Sequence, residues 1–175
     1  MNWSLVDVEQ FSLKIVDLWN AQGLLLTSGD YHSGDFNAMT VGWGSFGVMW
    51  GRPFVQVVVR PTRYTFQFME KYETFTLSAF PLKYKRALQL LGNRSGRDGD
   101  KIAAAGLTPE ASHCVAAPSF AEAYLAVECR KIYRQDIDPT LFVDAAIDAH
   151  YPRKDYHRVY FGEILCVREK EVGAI

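Results

Sequence analysis

Cysteine is scarce in this chain and charge of either sign is not in excess. The three cysteines, Cys114, Cys129 and Cys166, are odd in number and follow neither a Cys-x-x-Cys nor a zinc-ribbon spacing. Neither a disulfide framework nor a structural metal is expected, and a reducing cytoplasm is the natural setting. With 19 basic against 20 acidic residues the net charge is -1, which gives no electrostatic footprint for nucleic acid or an anionic membrane surface. A run of about 18 uncharged apolar residues, the length a membrane helix needs, occurs nowhere. The opening MNWSLVDVEQF also lacks a basic stretch followed by an apolar one, so neither secretion nor membrane spanning is expected. His-Glu-x-x-His, a Walker loop and Gly-x-Ser-x-Gly are all missing, which weakens hydrolase and NTPase readings. No repeat, low-complexity tract or interdomain linker interrupts the 175 residues, a length suited to one domain spanning 1–175 with one sizeable core. The partner expected is a small molecule.

Aromatic residues are plentiful at 14%, as strands with large side chains would require. Val6, Phe11, Ile15, Leu18 and Trp19 have a loose helical spacing that also suits a short strand and a turn. GLLLTSG, AMTVGWGSFGVMW and PFVQVVVR then read as three strands, rich in branched and aromatic residues and punctuated by Gly and Pro. YTFQFMEKY reads as a helix with Tyr64, Phe68 and Tyr72 on one face and Thr62 available as its cap. TFTLSAF returns to strand. KYKRALQLLG predicts a second helix, with Tyr84, Leu88 and Leu91 on one face and Gly92 as its stop. NRSGRDGDK is a polar loop, KIAAAG a short helical piece, the stretch 123–137 a long strand and RVYFGEILCVRE the last one. Strands outnumber helices without alternating with them throughout. The pattern predicts a mainly β, largely antiparallel barrel of Greek-key type with a few short helices.

Gly42, Gly44 and Gly47 satisfy Gly-x-Gly-x-x-Gly, but the dinucleotide-binding turn needs a helix to follow, so that a pyrophosphate meets its N-terminus. VMWGRPFVQVVV follows instead, a turn and another strand. These glycines more plausibly permit bulges or let a flat ring approach the backbone.

Two neighbouring segments carry the chemistry expected of a site. In RPTRYT, Arg60 and Arg63 flank Thr62 where a helix begins, so guanidinium groups, a hydroxyl and backbone N–H groups can converge on a phosphate. In FNAMTVGW, entered through Gly34 and Asp35, Asn37 and Thr40 sit beside backbone groups able to pair with a flat ring, and Trp43 can pack near its face or edge.

The run FNAMTVGWGSFGVMWGRPFVQVVVRPTRYTFQFMEKYETFTLSAF closely resembles the flavin reductase-like, FMN-binding split-barrel family, and within it the flavoredoxin-like branch. The likeness is strongest from Asn37 to Phe80 and continues more loosely through SGRDGDK and YFGEIL. It implies a split β-barrel homodimer with FMN near the subunit interface. By position, Asn37, Ala38, Met39, Thr40, Val41, Gly42 and Trp43 match the strand laid along the isoalloxazine. Arg60, Thr62, Arg63, Tyr64 and Thr65 match the phosphate-binding turn, and Lys101 a basic residue close to the flavin. His150 and His157 are weaker candidates. The resemblance implies an oxidoreductase in which NADH or NADPH delivers hydride to N5 of FMN and electrons pass onward, with no protein side chain as catalyst. An FMN electron carrier serving a protein partner, with little nicotinamide activity, is the alternative. A module for another flat anion such as haem is a third reading.

Overall fold

Leu24, Leu25 and Leu26 show none of the apolar–polar alternation of a half-exposed strand, and the fold supplies the reason: Leu24 and Leu26 enter one core and Leu25 another. The computed structural model describes residues 2–21 and 23–170. Its strands are β1 (Ser4–Val6), β2 (Leu24–Asp30), β3 (Asp35–Val41), β4 (Gly44–Met49), β5 (Arg52–Val59), β6 (Thr74–Ala79), β7 (Pro109–Glu110), β8 (Ser119–Phe120), β9 (Leu125–Asp136) and β10 (Arg158–Glu169). Its helices are α1 (Ile15–Ala21), α2 (Tyr64–Lys71), α3 (Lys85–Asn93) and α4 (Lys101–Ala104).

The main sheet runs β3-β2-β6-β9-β10-β5-β4, with every neighbouring pair antiparallel and β1 added against the far end of β10. β7 and β8 form a separate two-stranded ladder. This is the mainly β, antiparallel architecture with few short helices that the sequence predicts. β10 is the shared strand: Arg158 to Glu163 pair with β5, Val167 to Glu169 pair with β1, and β9 follows it from end to end. The β9–β10 register shifts at Phe161/Gly162 and again at Ile164/Cys166, bulges that bend the pair. Gly162 sits at the first. A Cβ there would lie 2.4 Å from the Phe75 ring and 2.9 Å from the Cys129 Cβ, so only glycine lets the core ring pass.

The barrel interior holds Leu24, Leu26, Met39, Val41, Val55, Val57, Val59, Phe75, Leu77 and Val127, closed by Met69 from α2. Behind the sheet a second core gathers Leu25 and Ala38 under Leu88 and Leu91 of α3, with Ile102 of α4 and Phe120. The expected faces of both longer helices are found. Tyr64 and Phe68 meet edge to face at 5.1 Å, Phe68 and Tyr72 stack at 6.4 Å, and Tyr84 packs against the same cluster as Leu88 and Leu91.

Several local expectations need correcting. AMTVGWGSFGVMW is two strands, since β3 ends at Val41 and β4 begins at Gly44. A Cβ on Gly44 would lie 2.3 Å from the Gln56 carbonyl oxygen and 2.6 Å from the Trp19 ring, so the chain turns where β5 and a flat side chain press on the backbone. Gly92 does not stop the second helix but lies inside α3, where a Cβ would touch Thr40 at 3.4 Å. Thr62 does not cap α2: the capping position is Arg63, whose side chain makes no capping bond, and Thr62 Oγ1 instead donates to Asp155 Oδ2 at 3.4 Å. The N-terminal segment contains both a short strand, β1, and a helix, α1, and the small β7–β8 ladder carries no sequence signal. Among the described residues no helix is long and apolar enough to cross a membrane.

Candidate functional site

Among the described residues β3 pairs with β2 alone, so alternate residues along its outer edge turn their N–H and C=O groups away from the ladder. Two cavities open along this strand. One, of about 200 Å³, is lined by Met39, Thr40, Val41, Gly42, Trp43 and Arg60 with Val58 and His157. The other, of about 360 Å³, lies toward the start of β3 and takes in Asn37, Tyr64 and Lys101 beside Gly34, Phe68 and Gly96. The expected site residues are therefore split: Met39 to Trp43 and Arg60 line the first cavity, Asn37, Tyr64 and Lys101 the second, and Ala38, Thr62, Arg63 and Thr65 line neither.

At the first cavity the backbone of Gly42 faces open space, since a Cβ there would meet nothing within 4 Å. Trp43 is 47% exposed and its ring sits 5.5 Å from His150 and 5.2 Å from His157, making an aromatic and imidazole wall. His157 is buried, with Nδ1 2.9 Å from the Tyr151 hydroxyl. Burial, helped by the Arg60 guanidinium, pushes its pKa down to about 4, so at neutral pH the ring is uncharged. Arg60 is fixed by three contacts: Asp155 Oδ1 at 2.6 Å, the His150 carbonyl at 2.8 Å and the Tyr151 ring at 4.9 Å.

Between the cavities, Asn37 Nδ2 donates to Thr65 Oγ1 at 2.7 Å and ties β3 to α2. Both residues are buried, and a Cβ on Gly96 would lie 2.3 Å from Asn37 Oδ1, so the loop crosses this bond at contact distance. Ala38 lies in the second core, and Thr40 Oγ1 donates to the Leu88 carbonyl at 2.6 Å. Thr62 is exposed. Arg63 Nη2 donates to the Gly92 carbonyl, and Lys101 Nζ to the Leu91 and Arg94 carbonyls at 3.0 and 3.1 Å. These oxygens belong to the last turn of α3, where helix geometry leaves carbonyls without intrahelical donors and the dipole favours cations.

Arg60, Arg63 and Lys101 form a row in which each cation acts on the next. Burial lowers the Arg63 pKa and Arg60 lowers it further; burial lowers Lys101 to about 8, with Arg63 adding to the effect. Among the described residues only Arg60 of the three has a carboxylate partner. Such a row suits an anion. Arg63 and Lys101 also carry more N–H donors than the helix carbonyls use.

FMN asks for a cationic phosphate seat, backbone groups at a ring edge and apolar or aromatic ring contacts. The open edge of β3, the bare backbone at Gly42, the Trp43 wall and the cation row supply each of these. Asp155 and Tyr151 were not foreseen. They come from a loop some 90 residues beyond Arg60, and no motif links the two segments.

The sequence matches the family described as "Flavin reductase like domain" over residues 20–167. It is 30% identical over 141 residues to an uncharacterised protein of Pyrococcus abyssi (strain GE5 / Orsay), covering 79% of this chain and 78% of that one. The fold is similar to an FMN-binding domain of a flavin reductases-like enzyme from Shewanella baltica OS155, with a TM-score of 0.69 at 17% identity over 96% of this chain and 77% of that one. It is similar also to the flavoredoxin of Desulfovibrio vulgaris (Miyazaki F), with a TM-score of 0.66 at 23% identity over 93% and 75% of the two chains.

Proposed function

Because the chain belongs to the flavin reductase-like, FMN-binding family, we propose that residues 1–175 form one such domain, and that it works as an FMN-dependent oxidoreductase fed by NADH or NADPH in a reducing cytoplasm. Residues 1, 22 and 171–175 of that domain lie outside the described ones. FMN would supply the redox chemistry, taking hydride at N5. Met39, Thr40, Val41, Gly42 and Trp43 would hold the ring, through backbone groups of the β3 edge and the indole. Arg60, Arg63 and Lys101 would hold the phosphate, helped by Thr62 and the start of α2 at Tyr64 and Thr65. Asn37 and Ala38 would act by fixing β3 against α2 and α3. His157, uncharged and hydrogen-bonded to Tyr151, would exclude water without adding a second cation beside Arg60.

The observation that carries this reading is the row of mutually repelling, partly buried cations beside an unpaired strand edge. An anionic ligand relieves that repulsion, and charge-assisted bonds to phosphate are among the stronger ones. Arg63→Ala should therefore weaken FMN about tenfold to a hundredfold, on the order of 1.5–3 kcal/mol, while leaving riboflavin affinity nearly unchanged. Equal losses for the two ligands, measured by flavin fluorescence titration, would count against the assignment.

The exposure of Trp43 at the cavity mouth favours a second reading, an FMN electron carrier that meets a protein partner there. Anaerobic mixing with NADH or NADPH separates the two. Fast bleaching of the flavin band identifies the reductase, and no bleaching the carrier. A homodimer belongs to the same proposal, since among the described residues the outer edge of β4 is unpaired, and Val48 and Met49 at its end and Trp50 in the turn beyond it stay exposed in the single chain.

A further inference from the structure

Away from β3, the Cys114 and Cys166 sulfurs and a Glu128 carboxylate oxygen all lie within 4.8 Å of one another. The fold holds them there. Glu128 and Cys166 are directly opposed across β9 and β10, so their side chains share a face. The Glu128 carboxylate is fully buried and accepts the backbone N–H groups of His113 at 2.9 Å and Cys114 at 2.6 Å, which clamps the loop between β7 and β8 onto β9. Arg168 Nε, 2.7 Å from the same carboxylate, balances its charge, and Arg168 Nη2 donates to Ser119 Oγ at 2.6 Å. One thiol of the pair is exposed and the other buried.

We propose that Cys114 and Cys166 form a peroxide-responsive dithiol that closes to an intramolecular disulfide, tying the 111–118 loop to β10. Cys114 is the sulfur that solvent-borne hydroperoxide reaches. Its thiolate attacks the O–O bond and becomes a sulfenic acid, and the other oxygen leaves as an alcohol, or as water from hydrogen peroxide, taking up the thiol proton. Cys166 then attacks that sulfur; the S–O bond breaks, S–S forms, and the hydroxyl leaves as water with the Cys166 proton. In sum, two thiols lose two electrons and two protons, and one hydroperoxide is reduced.

The asymmetry suits this order. Burial, with Glu128 next in effect, pushes the Cys166 pKa up to about 12, so Cys166 stays protonated until a sulfenic acid forms beside it. Cys129 lies outside the pair. It follows Glu128 on β9, points to the opposite face into the barrel core and is fully buried. A metal ion fits the same atoms poorly, because both Glu128 oxygens already accept backbone N–H groups and the Arg168 guanidinium, 2.7 Å from one of them, would repel a second cation.

The full-length protein, reduced and then treated with a slight excess of hydrogen peroxide, is assayed for free thiols in denaturant. The expected count falls from three to one, a peptide map joins Cys114 to Cys166, and dithiothreitol restores three. Cys129→Ser should fall from two to none. Cys166→Ser should give a sulfenic acid at Cys114 that dimedone traps, and Cys114→Ser, changed at an exposed site, should keep both remaining thiols. A count that stays at three, a link through Cys129, links only between chains, or Co(II) titration producing thiolate-to-metal absorption at this site would each overturn the proposal.

Discussion

At His157 burial and a neighbouring guanidinium act in the same direction, and the consequence can be read as stability. The folded pKa lies near 4, against 6.5 for an unperturbed imidazole. Between these values the unfolded chain binds a proton that the folded chain does not, so stability falls as pH drops from about 6.5 toward 4. The whole shift corresponds to at most about 3 kcal/mol. Urea midpoints followed between about pH 7 and pH 4.5 should show this loss, and His157→Gln should flatten it; identical pH profiles for the two proteins would mean that the ring titrates alike in the folded and unfolded chain. The roles of single residues were only partly legible in the sequence. Arg60, Arg63 and Trp43 stand in short motifs that single them out, and the structure places Arg60 and Trp43 on one cavity and Arg63 against the end of α3. Asp155 was not, because what matters about it is a 2.6 Å contact with Arg60, 95 positions away. Lys101 reads as an ordinary basic residue in a polar loop, yet it is 3% exposed and bound to the end of α3.

For the elements, local pattern decided the outcome where packing agreed with it. β10 occupies the stretch RVYFGEILCVRE that the sequence marks as a strand, and α3 buries Leu88 and Leu91 as its periodicity predicts, whereas α2 buries Phe68 of its predicted face together with Thr65 and Met69 and leaves Tyr64 half-exposed. Failures arose where a distant group sets a boundary. Nothing in AMTVGWGSFGVMW itself says that Trp19 and Gln56 will press on Gly44, and nothing near Gly92 says that α3 continues past it over Thr40. Gly162 shows the energetic side of such an encounter. Gly162→Ala places a methyl against Phe75 in a close-packed interior, and overpacking of this kind costs about 1–3 kcal/mol or more. Thermal unfolding should report a lowered midpoint, and an unchanged one would show that the bulge can yield.

Over the whole molecule the near-neutral charge was legible directly, and the family from its long central motif. The division of apolar residues between two cores and a free surface was not, because a single sequence cannot say which side of a strand is covered. Val48 at 72% exposure and Trp50 at 61% are the residues a second copy of the chain would bury. Light scattering coupled to gel filtration is expected to give twice the chain mass, and Val48→Asp to give the single chain. A wild-type protein that elutes as a monomer at micromolar concentration would remove the dimer from the proposal.

The place of β10, between β5 and β9 with β1 on its far end, bears on how the protein is made. A nascent chain still waiting for Arg158 to leave the ribosome can pair β2 with β3 and β6, β4 with β5, and β6 with β9, but no strand pairing joins those two ladders. Two ladders with open flanks must persist until β10 is translated, and this invites capture by a chaperone. Stalled chains truncated before and after this strand should differ abruptly in protease resistance, rather than by gradual gain.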